Sequence, residues 1–157
     1  MQQPHDDDID WDEYLKGEPR QGIHWHAFHW KGPSGKLLLF KYQNERVPGT
    51  PEFQTSTTPP EALVHHLLKP QLVRATFTDV DAASAWMREQ WEADPPQETY
   101  KNPDNCQKFA RRMIELGKDT IWSWDWPRTG DNVSVRAYMI TCPNPADLGI
   151  RCPAPPR

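Results

Sequence analysis

Two groups of residues in this 157-residue chain have the types and spacing for nucleophilic chemistry. The first centres on Cys106, in the run Asn102-Pro103-Asp104-Asn105-Cys106-Gln107-Lys108-Phe109-Ala110. Asn102 is a good helix N-cap and Pro103 fits the first helical position, while Asp104 or Asn105 could cap instead. Each of these registers puts Cys106 in the first helical turn, where unpaired N–H groups and the macrodipole favour a thiolate over a thiol. Phe109, Ala110, Met113 and Ile114 follow at helical spacing, so the thiol belongs to the buried face. The plain alternative is a small apolar residue opening an amphipathic helix. The second group is His24, His26 and His29, within Gly22–Trp30. On a strand, alternation puts His24 and His26 on one face and His29 on the other. Singly, each reads as a structural histidine. Three imidazoles so close together are costly in a core unless polar partners face them, so at least one should face a polar cavity. A histidine base and a thiolate together would support acyl transfer: sulfur attacks an acyl carbon, a leaving group departs, and an amine, alcohol or water collects the acyl group.

The run Asp104-Asn105-Cys106-Gln107-Lys108-Phe109 resembles the Asn-Cys-(Glu/Gln)-x-Phe signature of the permuted papain-like group. That group includes the lecithin:retinol acyltransferase-like proteins, NlpC-type relatives and PPPDE-type peptidases. His24-Trp25 resembles the group's base-bearing strand, and the order, histidine first and cysteine later, is its permuted order. The resemblance covers roughly residues 22–117. It implies Cys106 as nucleophile, His24 as general base, Asn105 shaping the turn before the helix and Gln107 at the Glu/Gln position. Backbone N–H groups at the helix start would form an oxyanion hole. The residue that orients the base falls in the region of Lys41, Tyr42 and Gln43, with Tyr42 or Gln43 better suited than a cation. His26 is the rival base if the strand register is shifted.

These residues need a scaffold to position them. Gly22–Trp30 reads as a strand, and residues 35–43 as its hairpin partner across a longer turn. Residues 47–60, rich in Pro and Thr, read as a surface loop. A short helix is expected from Thr58 to Pro70, with Leu63, Val64, Leu67 and Leu68 inward and His65 and His66 outward. Residues 71–77 read as a strand. A second helix starts at Thr78 or Asp79 and stops at Pro95, with Val80, Ala83, Met87 and Trp91 on one face. After the Cys106 helix, residues 120–126 and 133–140 alternate at period two around a turn, giving a second hairpin. Trp122, Trp124 and Trp126 share one of its faces, either as sheet packing or as an aromatic wall for an apolar acyl chain or an aromatic substrate. The fold class is α+β: an antiparallel sheet with helices packed on one side. Three regions are expected: a mobile acidic arm over 1–20 anchored by Trp11, Tyr14 and Leu15, a single catalytic domain over 21–142, and a Pro-rich irregular tail over 143–157.

Composition narrows the function classes. A net charge of -4 with scattered Lys and Arg offers no footprint for nucleic acid. No apolar run approaches the roughly 20 residues that span a bilayer. The first residues have neither the positive start nor the apolar core of a signal peptide, so a soluble cytoplasmic protein is expected. Three cysteines argue against a disulfide framework. Cys142 and Cys152, flanking a Pro-rich stretch, could still pair. No CxxC and no HxxxH on a helix is present, so neither a metal nor any other cofactor is expected. The implied partner is an acyl donor, either a soluble small molecule or one held by a carrier protein. Acyltransferase is the leading expectation. A peptidase or isopeptidase of the same fold and an inactive binding protein that keeps the fold are the alternatives.

Overall fold

The computed structural model describes residues 9–96, 102–127 and 129–153. His5, the first three residues of the acidic run and the last four of the tail lie outside these. Among the described residues four strands form one antiparallel sheet: β1 (His24–Pro33), β2 (Ala75–Phe77), β3 (Thr120–Trp126) and β4 (Val133–Cys142), in the order β2-β1-β4-β3. Helices are α1 (Trp11–Tyr14), α2 (Gly35–Leu38), α3 (Pro51–Thr55), α4 (Val80–Ala93) and α5 (Pro103–Glu115). Among the described residues no helix is long and apolar enough to cross a membrane. The architecture is α+β.

Strand alternation sorts the core into two layers. Trp25 and Ala27 of β1, Trp122 and Trp124 of β3, and Val135, Ala137 and Met139 of β4 face α4 and α5, meeting Ala83, Met87, Trp91, Ala110 and Ile114. On the opposite face Phe28, Tyr138, Ile140 and Cys142 meet Val64 and Leu67, with Ile150 and Cys152 packed alongside. Trp91 lies between the two sheet tryptophans, 5.5 Å from the Trp122 ring and 5.1 Å from that of Trp124. The Trp124 indole donates to the Asp94 carbonyl at 2.9 Å, tying the end of α4 to β3.

The two long helices form where their sequence signals sit. Asp79 caps α4 by accepting from Ala82 N, and Asn102 caps α5 by accepting from Asp104 N. Gly117 closes α5 in the left-handed region (φ 73°), with its N–H and that of Lys118 donating to Ile114 and Met113 carbonyls. The N-terminal arm docks on α5 through Trp11, whose ring meets Phe109 at 4.9 Å and whose indole donates to Asn105 at 2.9 Å. Arg112, buried beneath it, donates to the Leu15 and Gly17 carbonyls. Tyr14 is exposed rather than an anchor.

Three local expectations are corrected. Residues 35–43 form α2 and a 3-10 segment (Phe40–Glu45) rather than a strand. Leu37-Leu38-Leu39-Phe40 has no alternation, and β1 takes its full-length partner, β4, from the far end of the chain. The surface stretch 47–60 contains α3, capped by Thr50, which buries Phe53. Leu63–Leu68 is a 3-10 helix rather than an α-helix. At three residues per turn His66 lies on the inward side with Val64 and Leu67, so His66 is buried rather than outward.

Candidate metal centre and the Cys106 cavity

His24 and His26 occupy alternate positions on β1, so both side chains stand on the face away from α4 and α5. In the β1–β4 ladder His24 is directly opposite Cys142, and paired residues of antiparallel strands project to the same side. After Cys142 the chain turns back through residues 143–153. Asn144 and Asp119 fix that turn. Asn144 Nδ2 donates to both Asp119 oxygens at 2.9 and 3.0 Å and to the Thr141 carbonyl at 3.1 Å, and Thr141 N donates to Asp119 at 2.9 Å. Ile150 and Cys152 then pack against the sheet.

The return places Cys152 Sγ 3.0 Å from His24 Nε2 and 3.1 Å from His26 Nε2. One ligand atom from each of His24, His26, Cys142 and Cys152 lies within 4.8 Å of every other. A tetrahedral zinc ion with nitrogen at about 2.0 Å and sulfur at about 2.3 Å requires ligand–ligand edges of roughly 3.3–3.8 Å. The cluster therefore needs only side-chain adjustment to close on one ion. An outer partner is in place: His26 Nδ1 meets Thr76 Oγ1 on β2 at 2.9 Å, which orients Nε2 into the cluster. A thiol hydrogen on Cys152 can serve only one of the two nitrogens that face it, whereas a cation satisfies all four donors.

The electrostatics of the cluster match that chemistry. Burial lowers His26 to about 4, with the neighbouring His24 adding to the shift, and burial lowers His24 too. Both rings are neutral at pH 7, as metal ligation requires. Burial, then the hydrogen bond and charge of Cys152, pushes the Cys142 thiol up to about 12. A divalent ion would reverse that preference by stabilising the thiolate directly. Cys142 and Cys152 are free thiols here rather than the possible disulfide pair.

Cys106 stands elsewhere. It is in the first turn of α5, and it packs against the layer that contains Trp25, on the helix side of the sheet. His24 and His26 lie across the sheet from it. The structure thus does not bring the expected nucleophile and base together, nor does it bring His26 to Cys106 as a rival. The parity of β1 is the cause: Trp25, not its neighbours, faces the helices. Gln43 instead donates to Glu61, and Tyr42 lies under the ammonium groups of Lys36 and Lys41. Both belong to the 3-10 segment after α2, so neither orients an imidazole. Gln107 accepts from Arg88 at 3.4 Å. Trp122 and Trp124 are both buried in the helix-side core. Asn105 and Trp122 do line a cavity with Cys106, about 300 Å³ in volume, whose other walls include Trp11, Phe109 and Ser123. Among the described residues that line it there is no histidine, lysine or carboxylate.

Cys142 and Cys152 are the candidate ligands that sequence reasoning passed over. Their signal was the His-x-His pair on one strand face, which called for polar partners, together with two cysteines considered only as a possible disulfide. No family model, curated protein or solved structure matches the chain.

A separate titratable group sits deeper on the same side of the sheet. His66 is held between Phe28 and Tyr138, its Nδ1 bonded to the Leu63 carbonyl at 2.8 Å and its Nε2 buried without a partner. Burial lowers it to about 4, against the Leu63 bond and aided by the charges of Lys69 and Arg46. In the unfolded chain the imidazole takes its proton near the ordinary value of about 6.5. Stability is therefore complete above that pH and falls as pH drops towards 4, by about 3 kcal/mol from this residue, then levels off. Urea titrations across this window should show the His66→Phe variant losing about one proton's worth of slope relative to the parent. An unchanged slope would remove His66 from the account.

Proposed function

We propose that this protein is a zinc-binding protein in which His24, His26, Cys142 and Cys152 hold one Zn(II) as a closed, tetrahedral, structural centre. The observation that carries the reading is the convergence of two imidazole nitrogens and two thiol sulfurs within 4.8 Å, from the start of β1, the end of β4 and the returning tail. Two nitrogens and two sulfurs select zinc among common divalent ions, and four protein ligands leave no open position for substrate. The ion would fasten residues 143–152 to the sheet, and its binding free energy would add directly to the stability of the fold. Elemental analysis of protein purified without added metal should find about one zinc per chain. Less than a tenth, with no uptake on adding Zn(II), would refute the reading.

Acyl transfer through a thioester on Cys106, in a permuted papain-like fold, is the second reading. One observation favours it: the thiol is at the start of a 13-residue helix and lines a cavity large enough for a small acyl group. It requires a base other than His24. Incubation with an acyl-thioester probe should label Cys106 ahead of Cys142 and Cys152 and leave Cys106→Ala unlabelled. Equal labelling of all three thiols would sink it. Without such labelling, the zinc-fastened domain accords with the inactive binding protein among the sequence expectations.

A further inference from the structure

From the same four residues we infer that the centre is a redox-operated zinc switch, in which a two-electron oxidant such as hydrogen peroxide joins Cys142 to Cys152 and expels the metal. This inference rests on the zinc reading above. Its own support is the geometry of the two sulfurs. Both sulfurs belong to the cluster whose ligand atoms all lie within 4.8 Å of one another, so they stand no farther apart than that. A disulfide needs sulfurs about 2.05 Å apart, so only a short approach remains.

The two partners differ in a way that suits sequential oxidation. Cys142 is fixed in β4 at 1% exposure, whereas Cys152 lies on the irregular return and is partly accessible. Peroxide therefore meets Cys152 first. Its thiolate attacks one peroxide oxygen, giving a sulfenic acid and releasing hydroxide. The Cys142 thiolate then attacks the Cys152 sulfur, the S–S bond forms, and a second hydroxide leaves. Two protons from solvent convert the hydroxides to water. The sulfur pair has lost two electrons and the peroxide has gained them. Zinc keeps only two imidazole ligands and departs to water.

Release does not require unfolding. The new bond would close the loop from Cys142 to Cys152, holding the tail where the metal held it, and Asp119 and Asn144 would anchor the turn unchanged. His24 and His26 become free imidazoles. The switch thus exchanges a metal staple for a covalent one. Cys106, across the sheet, takes no part.

The test uses the zinc-loaded full chain and its Cys106→Ser variant, titrated with hydrogen peroxide while a metal-sensitive dye reports free zinc. The expected result is about one zinc released per chain, in step with the loss of two thiols, with a Cys142–Cys152 linked peptide on digestion and a mass two hydrogens lighter. Reductant plus Zn(II) should restore the starting state, and Cys106→Ser should behave the same. Zinc release that accompanies oxidation of Cys106, links between chains, or sulfinic and sulfonic acids without the Cys142–Cys152 link overturns the switch and leaves the zinc centre standing. A chain that binds no zinc at the outset overturns both.

Discussion

Replacing Cys152 with Ser should strip the protein of zinc and lower its melting temperature by about 8–16 °C. A ligand present at a thousand times its Kd stabilises the state that binds it by about 4 kcal/mol, and a chain of this length loses roughly 2–4 °C per kcal/mol. Cys152 is chosen because it is only partly buried, belongs to no strand or helix and packs at the margin of the core rather than within it. A chelator separates metal from packing. It should lower the parent's melting temperature by the same amount and leave Cys152→Ser unmoved. A variant that melts with the parent, in a parent that chelator does not affect, would mean that the four donors meet without a metal.

Trp91→Ala should be the most damaging substitution away from the metal. Trp91 is buried between Trp122 and Trp124, and its helix reaches β3 again through the bond from Trp124 to Asp94. Truncating a buried tryptophan costs about 3–5 kcal/mol, because the lost transfer free energy is joined by the cavity left behind. That is a large share of the whole stability of a domain of this size, for which about 5–15 kcal/mol is usual. Thermal melts followed by circular dichroism should show a fall of about 6–20 °C or a chain that does not fold at 37 °C. Zinc should not restore the difference, since α4 and the Trp122 and Trp124 side chains sit on the opposite face of the sheet from the metal ligands. A shift of only a few degrees would show that the tryptophan layer relaxes into the gap.

Local signals made the helix side of the molecule legible. Asp79 and Asn102 cap the two long helices, Met87 and Trp91 mark the inward side of α4, and the alternation of Trp122 and Trp124 announces β3. The other face was harder to read because its order is long-range. Leu63–Leu68 carries an apolar pattern that suits an α-helix, yet packing under the sheet winds it tighter and turns His66 inward. The metal centre was half visible. That His24 and His26 share a face follows from alternation alone, and their need for polar partners follows from desolvation. What alternation cannot supply is the register that sets His24 beside Cys142, or the return that carries Cys152 back. Zinc motifs are usually recognised by close spacing along the chain, and here the ligands come from its two ends. Cys106 shows the converse. Its place in the first turn and on the buried side was legible, but which face of β1 meets that helix was decided by Trp25 and Ala27 rather than by the histidines.

Zinc K-edge X-ray absorption on the protein as purified, with Cys106→Ser alongside, tests the centre most directly, because it counts the ligands around the ion. The account predicts two nitrogen scatterers at about 2.0 Å and two sulfur scatterers at about 2.3 Å, with imidazole outer-shell features and no change in Cys106→Ser. Loss of one sulfur scatterer in Cys106→Ser, or a first shell of oxygen and nitrogen without sulfur, would place the metal elsewhere and contradict it.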